Sequence, residues 1–168
     1  METPTHPDVD MADIALRLFA ATIVGVIIGI DREWRGKPVG VRTLGLVSLG
    51  SALVCLATVH LSALNNEPDA VSRVVQGVIQ GVMAGIGFLG AGAVLRKPDD
   101  DGGGVHGLTT AATVWVTAAL GIACGLATWR IVALGVVLTL AVLVALLPLD
   151  AWFDRRRARQ GKKDLSEH

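Results

Sequence analysis

The chain has 168 residues, of which 52% are hydrophobic and 18% charged, and its formal net charge is zero. This composition is too apolar for a soluble domain of this size, so most of the chain must face lipid or other helices. We therefore expect the lipid bilayer as its surroundings and no nucleic acid as a partner.

Five apolar stretches follow one another along the chain, at residues 11–30, 44–64, 71–95, 108–129 and 131–149. Each is close to the ~20 residues that cross a hydrocarbon core of ~30 Å. The second stretch contains no Asp, Glu, Lys or Arg, although a helix of a soluble bundle needs a wetted side. The sequence predicts an all-α integral membrane bundle of about five transmembrane helices, with one alternative: residues 108–149 could form a single broken or re-entrant element.

The distribution of Lys and Arg predicts the orientation of this bundle. Twelve of the fifteen cations fall on one side of the five spans, and cationic loops resist translocation. We therefore expect the N-terminus outside and the C-terminus inside. Residues 1–10 are predicted to be a short extracytoplasmic N-terminus, residues 11–149 the transmembrane domain and residues 150–168 a basic cytoplasmic tail.

Glycine recurs at a spacing of four in three of the predicted spans, which places it on one helix face and lets a second backbone approach closely. We expect these residues to mediate helix packing, with the first, third and fourth helices at the centre; lining of a pore is the alternative. A bulky Gly81→Leu substitution should then disrupt packing. The predicted packing positions are Gly25, Gly29, Gly77, Gly81, Gly85, Gly87, Gly90, Gly92, Gly121 and Gly125.

A short internal similarity joins the starts of the second and fourth spans. Residues 40–44 read Gly-Val-Arg-Thr-Leu, and residues 104–108 read Gly-Val-His-Gly-Leu. Each segment follows a span that ends in a basic turn. This pattern suggests two parallel helix-hairpin repeats followed by a fifth helix.

The densest group of polar residues follows the first span. Asp31 and Arg35 lie one helical turn apart and can pair, whereas Arg32 and Glu33 face other directions. A solvated cluster that fixes topology is one interpretation; the mixture of signs favours an ion-pair network. Because Mg²⁺ prefers oxygen ligands, Asp31 and Glu33 are weak metal candidates, but two acids beside four cations make a poor site.

Polar residues also mark the predicted N-termini of the second and fourth helices. Their hydroxyl groups suit N-capping. Alternatively, the positive helix ends, together with nearby Arg42 and His106, form a contact for an anion or phosphate. The candidate functional cluster at the cytoplasmic mouth therefore comprises Asp31, Arg32, Glu33, Arg35, Arg42, Thr43, His106, Thr109 and Thr110.

Few polar side chains lie within the spans themselves. Asp13 and Arg17 are one turn apart near the outer end of the first helix and can pair. Uncharged polar groups are predicted to hydrogen-bond between helices. These are Gln76, Gln80, Thr113 and Thr117.

No pattern indicates catalysis. A Gly-x-Gly-x-x-Gly sequence occurs at residues 85–90, but it lies inside a predicted span with no preceding strand, which excludes a dinucleotide site. Cys55 and Cys124 lack metal-ligand spacing and are interpreted as small packing residues. We expect no catalytic residues, no cofactor and no enzymatic activity.

Four motifs in order resemble the MgtC/SapB family of bacterial inner-membrane proteins. They are residues 25–35 (GVIIGIDREWR), 40–43 (GVRT), 85–92 (GIGFLGAG) and 107–113 (GLTTAAT). The resemblance runs from about Leu16 to Gly125. The family's motif positions in this chain are Asp31, Arg32, Glu33, Arg35, Gly40, Arg42, Thr43, Gly87, Gly90, Gly92, Gly107, Thr109 and Thr110.

The resemblance implies a multi-pass protein of the bacterial inner membrane that is connected with growth in low magnesium and, in pathogens, with survival inside macrophages. Some members are thought to bind and restrain the F-type ATP synthase. This sequence departs from many relatives, with Asp31 in place of Glu, His106 in place of Arg and Thr109 in place of Asn. We expect a short form without the soluble C-terminal domain of longer relatives.

Three classes of function remain. The first is a regulator of a membrane partner in Mg²⁺ homeostasis or stress adaptation. The second is a transporter or channel for Mg²⁺ or an anion such as phosphate, with its mouth at Arg42, Glu33 and Thr109. The third is a scaffold that forms homo-oligomers through its glycine faces. A cavity converging on the mouth would favour transport, whereas a closed core with an exposed small-residue groove would favour partner binding.

Overall fold

The computed structural model describes residues 10–62, 68–95 and 107–145, and the regular structure in these ranges is entirely α-helical. The predicted all-α membrane bundle is confirmed: four described helices are long and apolar enough to cross a membrane, and the fifth is a 17-residue apolar helix. Most of the predicted N-terminal segment and all of the tail at 150–168 lie outside the described residues. The helices are α1 (Met11–Trp34), α2 (Val41–Ser62), α3 (Pro68–Leu95), α4 (Leu108–Gly125) and α5 (Trp129–Ala145).

The end of α1 shows why the chain turns there. Gly36 adopts the left-handed conformation, with φ of 61°. The amides of Gly36 and Lys37 donate to the carbonyls of Glu33 and Arg32, at 3.0 Å each. This is the Schellman arrangement that ends many helices, and Pro38 two residues later suits it. The short loop returns the chain at once into α2.

A turn at residues 126–128 separates α4 from α5. Ala127 has a φ of 53°, and the Ala127 and Thr128 amides donate to Cys124 and Ala123 carbonyls at 3.0 and 3.1 Å. The helix α5 then folds back along α4, where a Cβ atom at Gly135 would lie 2.7 Å from Leu120 Cδ2. Two separate helices therefore occupy residues 108–145, and the alternative of a broken or re-entrant element over 108–149 stays a prediction.

The closest contacts show that the helices alternate in direction. Gly25 lies against Leu44 and Gly29 against Val41, so α1 and α2 are antiparallel. Gly121 lies against Ser48 and Gly125 against Ala52 and Cys55, so α2 and α4 are parallel. Gly90 of α3 lies beside Ala111 of α4, and that pair is antiparallel. This alternation agrees with successive membrane crossings, while the N-out, C-in orientation stays a prediction.

The core lies among α1, α2 and α4, and α3 is at its edge. In the apolar window of each helix, 44% of α2 and 56% of α4 are buried, but only 6% of α3. The expectation that α3 is a central helix is therefore wrong, because α2 takes the place between α1 and α4. The core residues include Ala21, Val24, Ile28, Leu44, Val47, Ala52, Val114, Ala118 and Cys124.

The two predicted hairpins, α1–α2 and α3–α4, pack differently. Gly25 and Gly29 bring the backbones of α1 and α2 into direct contact. The contact of α3 with α4 is looser, since a Cβ at Gly90 would lie 3.3 Å from the Ala111 Cβ. The suggestion of two parallel repeats stays a prediction.

Candidate functional site at the ends of α1, α2 and α4

The centre of the site is a buried arginine. Arg32, at the end of α1, is only 3% exposed. Its Nη2 donates to the Pro38 carbonyl at 3.1 Å and also to the Thr110 hydroxyl on α4. One guanidinium thus joins the α1–α2 loop to the first turn of α4, and two motifs separated by 78 residues meet at this side chain.

Helical periodicity accounts for the burial of Arg32. The buried positions of α1 are spaced three or four residues apart, so they form one face of the helix. Arg32 is the last of that series and emerges where the face meets α4. The same spacing in the sequence could have distinguished Arg32 from Arg42 as the buried arginine. The series is Ala21, Val24, Gly25, Ile28, Gly29 and Arg32.

Asp31 and Arg35 form the predicted pair beside this arginine. The Arg35 Nε donates to Asp31 Oδ1 at 2.8 Å, and the Arg35 Nη2 lies 2.8 Å from the same oxygen. The other Asp31 oxygen, Oδ2, and the Arg32 Nε are buried without a hydrogen-bond partner among the described residues. The cluster is therefore tightly packed, with its charges close to the edge of the apolar region.

Glu33 caps the second helix. Its Oε2 accepts a hydrogen bond from the Val41 amide at 3.1 Å, at the first residue of α2. A Cβ atom at Gly40 would lie 2.6 Å from this oxygen, so glycine leaves room for the carboxylate. The predicted capping role of Thr43 is therefore wrong. The positive end of α2 already has an anion, and it comes from the chain itself.

The fourth helix begins without a side-chain cap. Gly107 is its N-cap residue, with φ of 97°, and a Cβ there would lie 2.8 Å from the Ala93 carbonyl oxygen. The predicted capping by Thr109 and Thr110 is wrong, because Thr109 is exposed and Thr110 is buried against Arg32. His106, the remaining candidate, lies outside the described residues.

The candidate cluster therefore divides into two groups. Arg32, Thr110 and Glu33 have internal partners that hold helix ends together, as described above. Arg42, Thr43 and Thr109 are exposed. Within the described ranges, the Arg42 side chain makes no hydrogen bond or ion pair. These exposed groups remain available to another molecule, while the inner group is structural.

A second arginine of α1, Arg17, also links α1 to α4, at the opposite end of the bundle. Arg17 Nη1 donates to the Gly125 carbonyl at 3.0 Å, and its Nε lies 2.7 Å from Asp13 Oδ2. The predicted pair with Asp13 is confirmed, whereas the link to α4 was not predicted. A cation is favourable at a helix C-terminus, where carbonyl groups lack partners. Both ends of α1 are thus tied to α4 by arginine.

Between Arg17 and Arg32, the interior of the bundle contains buried polar side chains that are packed among the helices. Thr113 and Thr117 donate to carbonyls four residues earlier in α4, at 2.7 Å each, so the prediction of bonds between helices is wrong for them. Such back-bonding satisfies a hydroxyl locally and lets helices pack closely. Ser48 Oγ, by contrast, is buried without a partner in the described part of the chain. The buried polar side chains of α2 and α4 are Ser48, Ser51, Thr58, Thr110, Thr113 and Thr117.

Two surface grooves formed by the described residues lie away from the predicted mouth. One has a volume of about 270 Å³ and lies between α3 and α4, where Gly87, Gly90, Ala111 and Trp115 are among its lining. The other, about 600 Å³, lies along the first half of α3. Arg42, Glu33 and Thr109 line neither groove. The described residues also contain no group of three or more His, Cys, Asp or Glu that could hold a metal.

The predicted packing glycines fall into two classes. A Cβ at Gly25 would collide with the Leu44 carbonyl oxygen, and one at Gly121 with the Ser48 carbonyl oxygen, so these positions need the absence of a side chain. In α3 a Cβ would meet nothing within 4 Å at five of the six predicted glycines, so tight packing of that helix inside the described chain is wrong. Those five are Gly77, Gly81, Gly85, Gly87 and Gly92.

The motifs that meet in this site lie within a stretch that matches a known protein family. Residues 18–152 match the model of the MgtC family. The chain belongs to the MgtC family. Its predicted resemblance is thereby confirmed, and it is a membrane protein of MgtC/SapB type. No solved structure matches the chain.

The relatives differ in length from this member of the MgtC family. Protein SrpB of Synechococcus elongatus is 42% identical over 141 residues, which cover 82% of this chain and 76% of SrpB. Protein MgtC of Salmonella typhimurium is 39% identical over 115 residues, covering 68% of this chain and 44% of that protein. Protein SapB of Bacillus subtilis is 36% identical over 116 residues, covering 67% and 47% respectively. The chain therefore spans less than half of MgtC and SapB.

Proposed function

We propose that this protein regulates a partner in the bacterial inner membrane, in Mg²⁺ homeostasis or stress adaptation, and that it does so by direct contact and not by conducting an ion. The observation that carries the proposal is the closed junction at Arg32. A guanidinium that is 3% exposed links the loop after α1 to Thr110 of α4, at the point where a cytoplasmic entrance would have to open.

The interior supports the same conclusion. Gly25 and Gly121 place α2 in backbone contact with α1 and α4. The hydroxyls of Thr113 and Thr117 donate to their own helix, and both side chains are buried in the core. A transporter needs binding groups that face a water-filled cavity. Both grooves described above are instead on the outside of the bundle.

The partner-binding surface that we propose is the exposed part of the predicted cytoplasmic end. Arg42 is exposed on the first turn of α2 and has no partner in residues 10–62, 68–95 and 107–145. It also stands in a family motif. An acidic segment of a membrane-protein partner would complement this cation. The F-type ATP synthase is the partner that the family resemblance suggests.

The test uses cells that lack the chromosomal gene and grow poorly in low Mg²⁺. The wild-type gene should restore growth, and Arg42→Ala should lose that ability while the yield of folded protein stays unchanged. Arg130→Ala is the matched control, because Arg130 is also exposed but lies at the opposite end of the bundle, at the start of α5. Growth with Arg42→Ala equal to wild type would contradict the proposed surface.

Flux measurements address the transporter alternative. Liposomes that contain only the purified protein should show no movement of Mg²⁺ or phosphate above that of empty liposomes. Flux that disappears in Arg42→Ala would overturn the regulatory proposal and make the mouth a permeation site.

A further inference from the structure

The outward face of α3 carries small residues in its middle, between the exposed large side chains of Val74 and Phe88. Gly77, Gly81, Ala84 and Gly85 are all exposed, and we call these four residues the small face of α3. Their spacing places them on one side of the helix. A Cβ at any of its three glycines would meet nothing within 4 Å. The small face therefore presents bare backbone to the surroundings of the described chain.

The helix α5 provides the internal comparison. Its exposed side carries Leu134, Val137 and Leu138, with exposures between 54% and 63%. Large aliphatic side chains of this kind are suited to lipid tails. Small residues on a membrane helix instead mark places where another helix approaches. The small face of α3 thus indicates a protein neighbour, whereas the outward face of α5 indicates lipid.

Two glutamines supply an independent observation. Gln76 and Gln80 are exposed beside the small face, where they line the groove of about 600 Å³ with Val71, Val75 and Ile79, and the structure gives their side-chain amides no hydrogen bond to any described residue. Gln80 is near the middle of the apolar span that runs from Asp69 to Val94. An amide left unpaired in hydrocarbon is costly. Because each amide has both donors and an acceptor, a second glutamine is a suitable partner for it.

The charged residues at the start of α3 also favour a second copy as its neighbour. Asp69 and Arg73 are exposed, one helical turn apart and opposite in sign, and neither forms an ion pair within the described ranges. Two copies inserted in the same orientation must place their α3 helices parallel. A two-fold axis between them places Asp69 of one copy beside Asp69 of the other, and Arg73, about 6 Å further along the helix, has a side chain long enough to reach the partner's Asp69.

We propose that two copies of this chain pair in the membrane through the small face of α3, with Gln80 amides hydrogen-bonded across the two-fold axis. This inference rests on the proposed function, in which the protein acts by helix contact. It assigns α3 to a second copy and leaves the Arg42 side free for the regulated partner.

Cysteine crosslinking tests the geometry directly. Ala84 on the small face and Ala141 on the outward side of α5 are both exposed alanines. The purified Ala84→Cys protein, oxidised in liposomes, should form a covalent dimer, whereas Ala141→Cys and wild type should not. The two native thiols, Cys55 and Cys124, are buried and form the baseline. Equal dimer from Ala84→Cys and Ala141→Cys, or none from Ala84→Cys, would overturn the proposal.

The strength of pairing is measured by single-molecule photobleaching of labelled protein over a range of protein-to-lipid ratios. Gly81→Leu should abolish dimers, because a bulky side chain separates the two backbones. Gln80→Leu should weaken pairing by about threefold to tenfold, which is the usual effect of one hydrogen bond between membrane helices. Ala141→Leu should pair like wild type. Unchanged pairing in both α3 variants would contradict the inference.

The outcomes separate this inference from the proposed function. Loss of dimer crosslinking with normal growth in low Mg²⁺ would remove the pairing and leave the regulator. Robust dimers together with ion flux that depends on Arg42 would keep the pairing and remove the regulatory proposal.

Discussion

The helices α3 and α4 carry glycine at the same spacing but in opposite surroundings. In α4, Gly121 and Gly125 lie against the backbone of α2, and an added Cβ would collide there. In α3, Gly77 and Gly81 meet nothing within 4 Å in the described chain. A glycine pattern therefore predicts that another backbone approaches closely, but it does not say whether that backbone belongs to the same molecule.

The largest loss of stability is expected when a side chain is added to a glycine of α4 that contacts the backbone of α2. Gly121→Ala would push a methyl group into the Ser48 carbonyl, and forced overpacking of a membrane core should destabilise the protein by about 1 to 3 kcal/mol or more. Thermal unfolding of the purified protein in detergent measures this. The matched control is Gly81→Ala, which enters open space and gains about 1 kcal/mol of helix propensity. A lower unfolding temperature for Gly81→Ala than for Gly121→Ala would break the comparison.

A loss of comparable size, without the open upper end, should follow removal of the link between α1 and α4. Arg32→Ala leaves the Pro38 carbonyl and the Thr110 hydroxyl without their donor, at a cost of about 1.5 to 3 kcal/mol for hydrogen bonds to a charged group. The same unfolding assay measures it. Arg35→Ala, which removes a partly exposed ion pair, should cost only about 0 to 1 kcal/mol. Equal losses of unfolding free energy in Arg32→Ala and Arg35→Ala would mean that the buried hydrogen bonds of Arg32 stabilise the fold no more than an exposed ion pair does.

The smallest effect concerns the cap of α2. Glu33→Ala removes the acceptor for the Val41 amide and should cost about 0.5 to 2 kcal/mol, as for other helix caps. Glu33→Gln keeps an oxygen acceptor in place and should lose less than Glu33→Ala. The difference in unfolding temperature between these two variants reports the hydrogen bond itself. If Glu33→Gln is the less stable of the two, the capping role is wrong.

Much of the fold could be predicted from the sequence because the bilayer leaves few alternatives. Long uncharged stretches must be helical to satisfy their own backbone groups, so the five helices begin and end close to the predicted residues. The pair of Asp31 and Arg35 followed from one-turn spacing alone. These features depend on local periodicity, which the sequence displays.

The arrangement of the helices could not be predicted in the same way. Which of several glycine-bearing helices lies at the centre depends on contacts between distant segments, and the sequence placed α3 there in error. Capping by Thr43 was the local expectation, but Glu33 from the preceding helix reaches the same amide through a tight turn. The burial of Arg32 follows from its place on the inner face of α1, yet its partner Thr110 is known only from the fold.

In the proposed pairing, the open glycines of α3 serve a contact outside the chain, whereas those of α1 and α4 hold the chain together. The decisive measurement is the unfolding temperature of Gly81→Leu in detergent, at a dilution where the wild-type protein is monomeric. We expect an unfolding temperature equal to or above that of the wild-type monomer. A loss of folded protein as large as that of Gly121→Leu would contradict it.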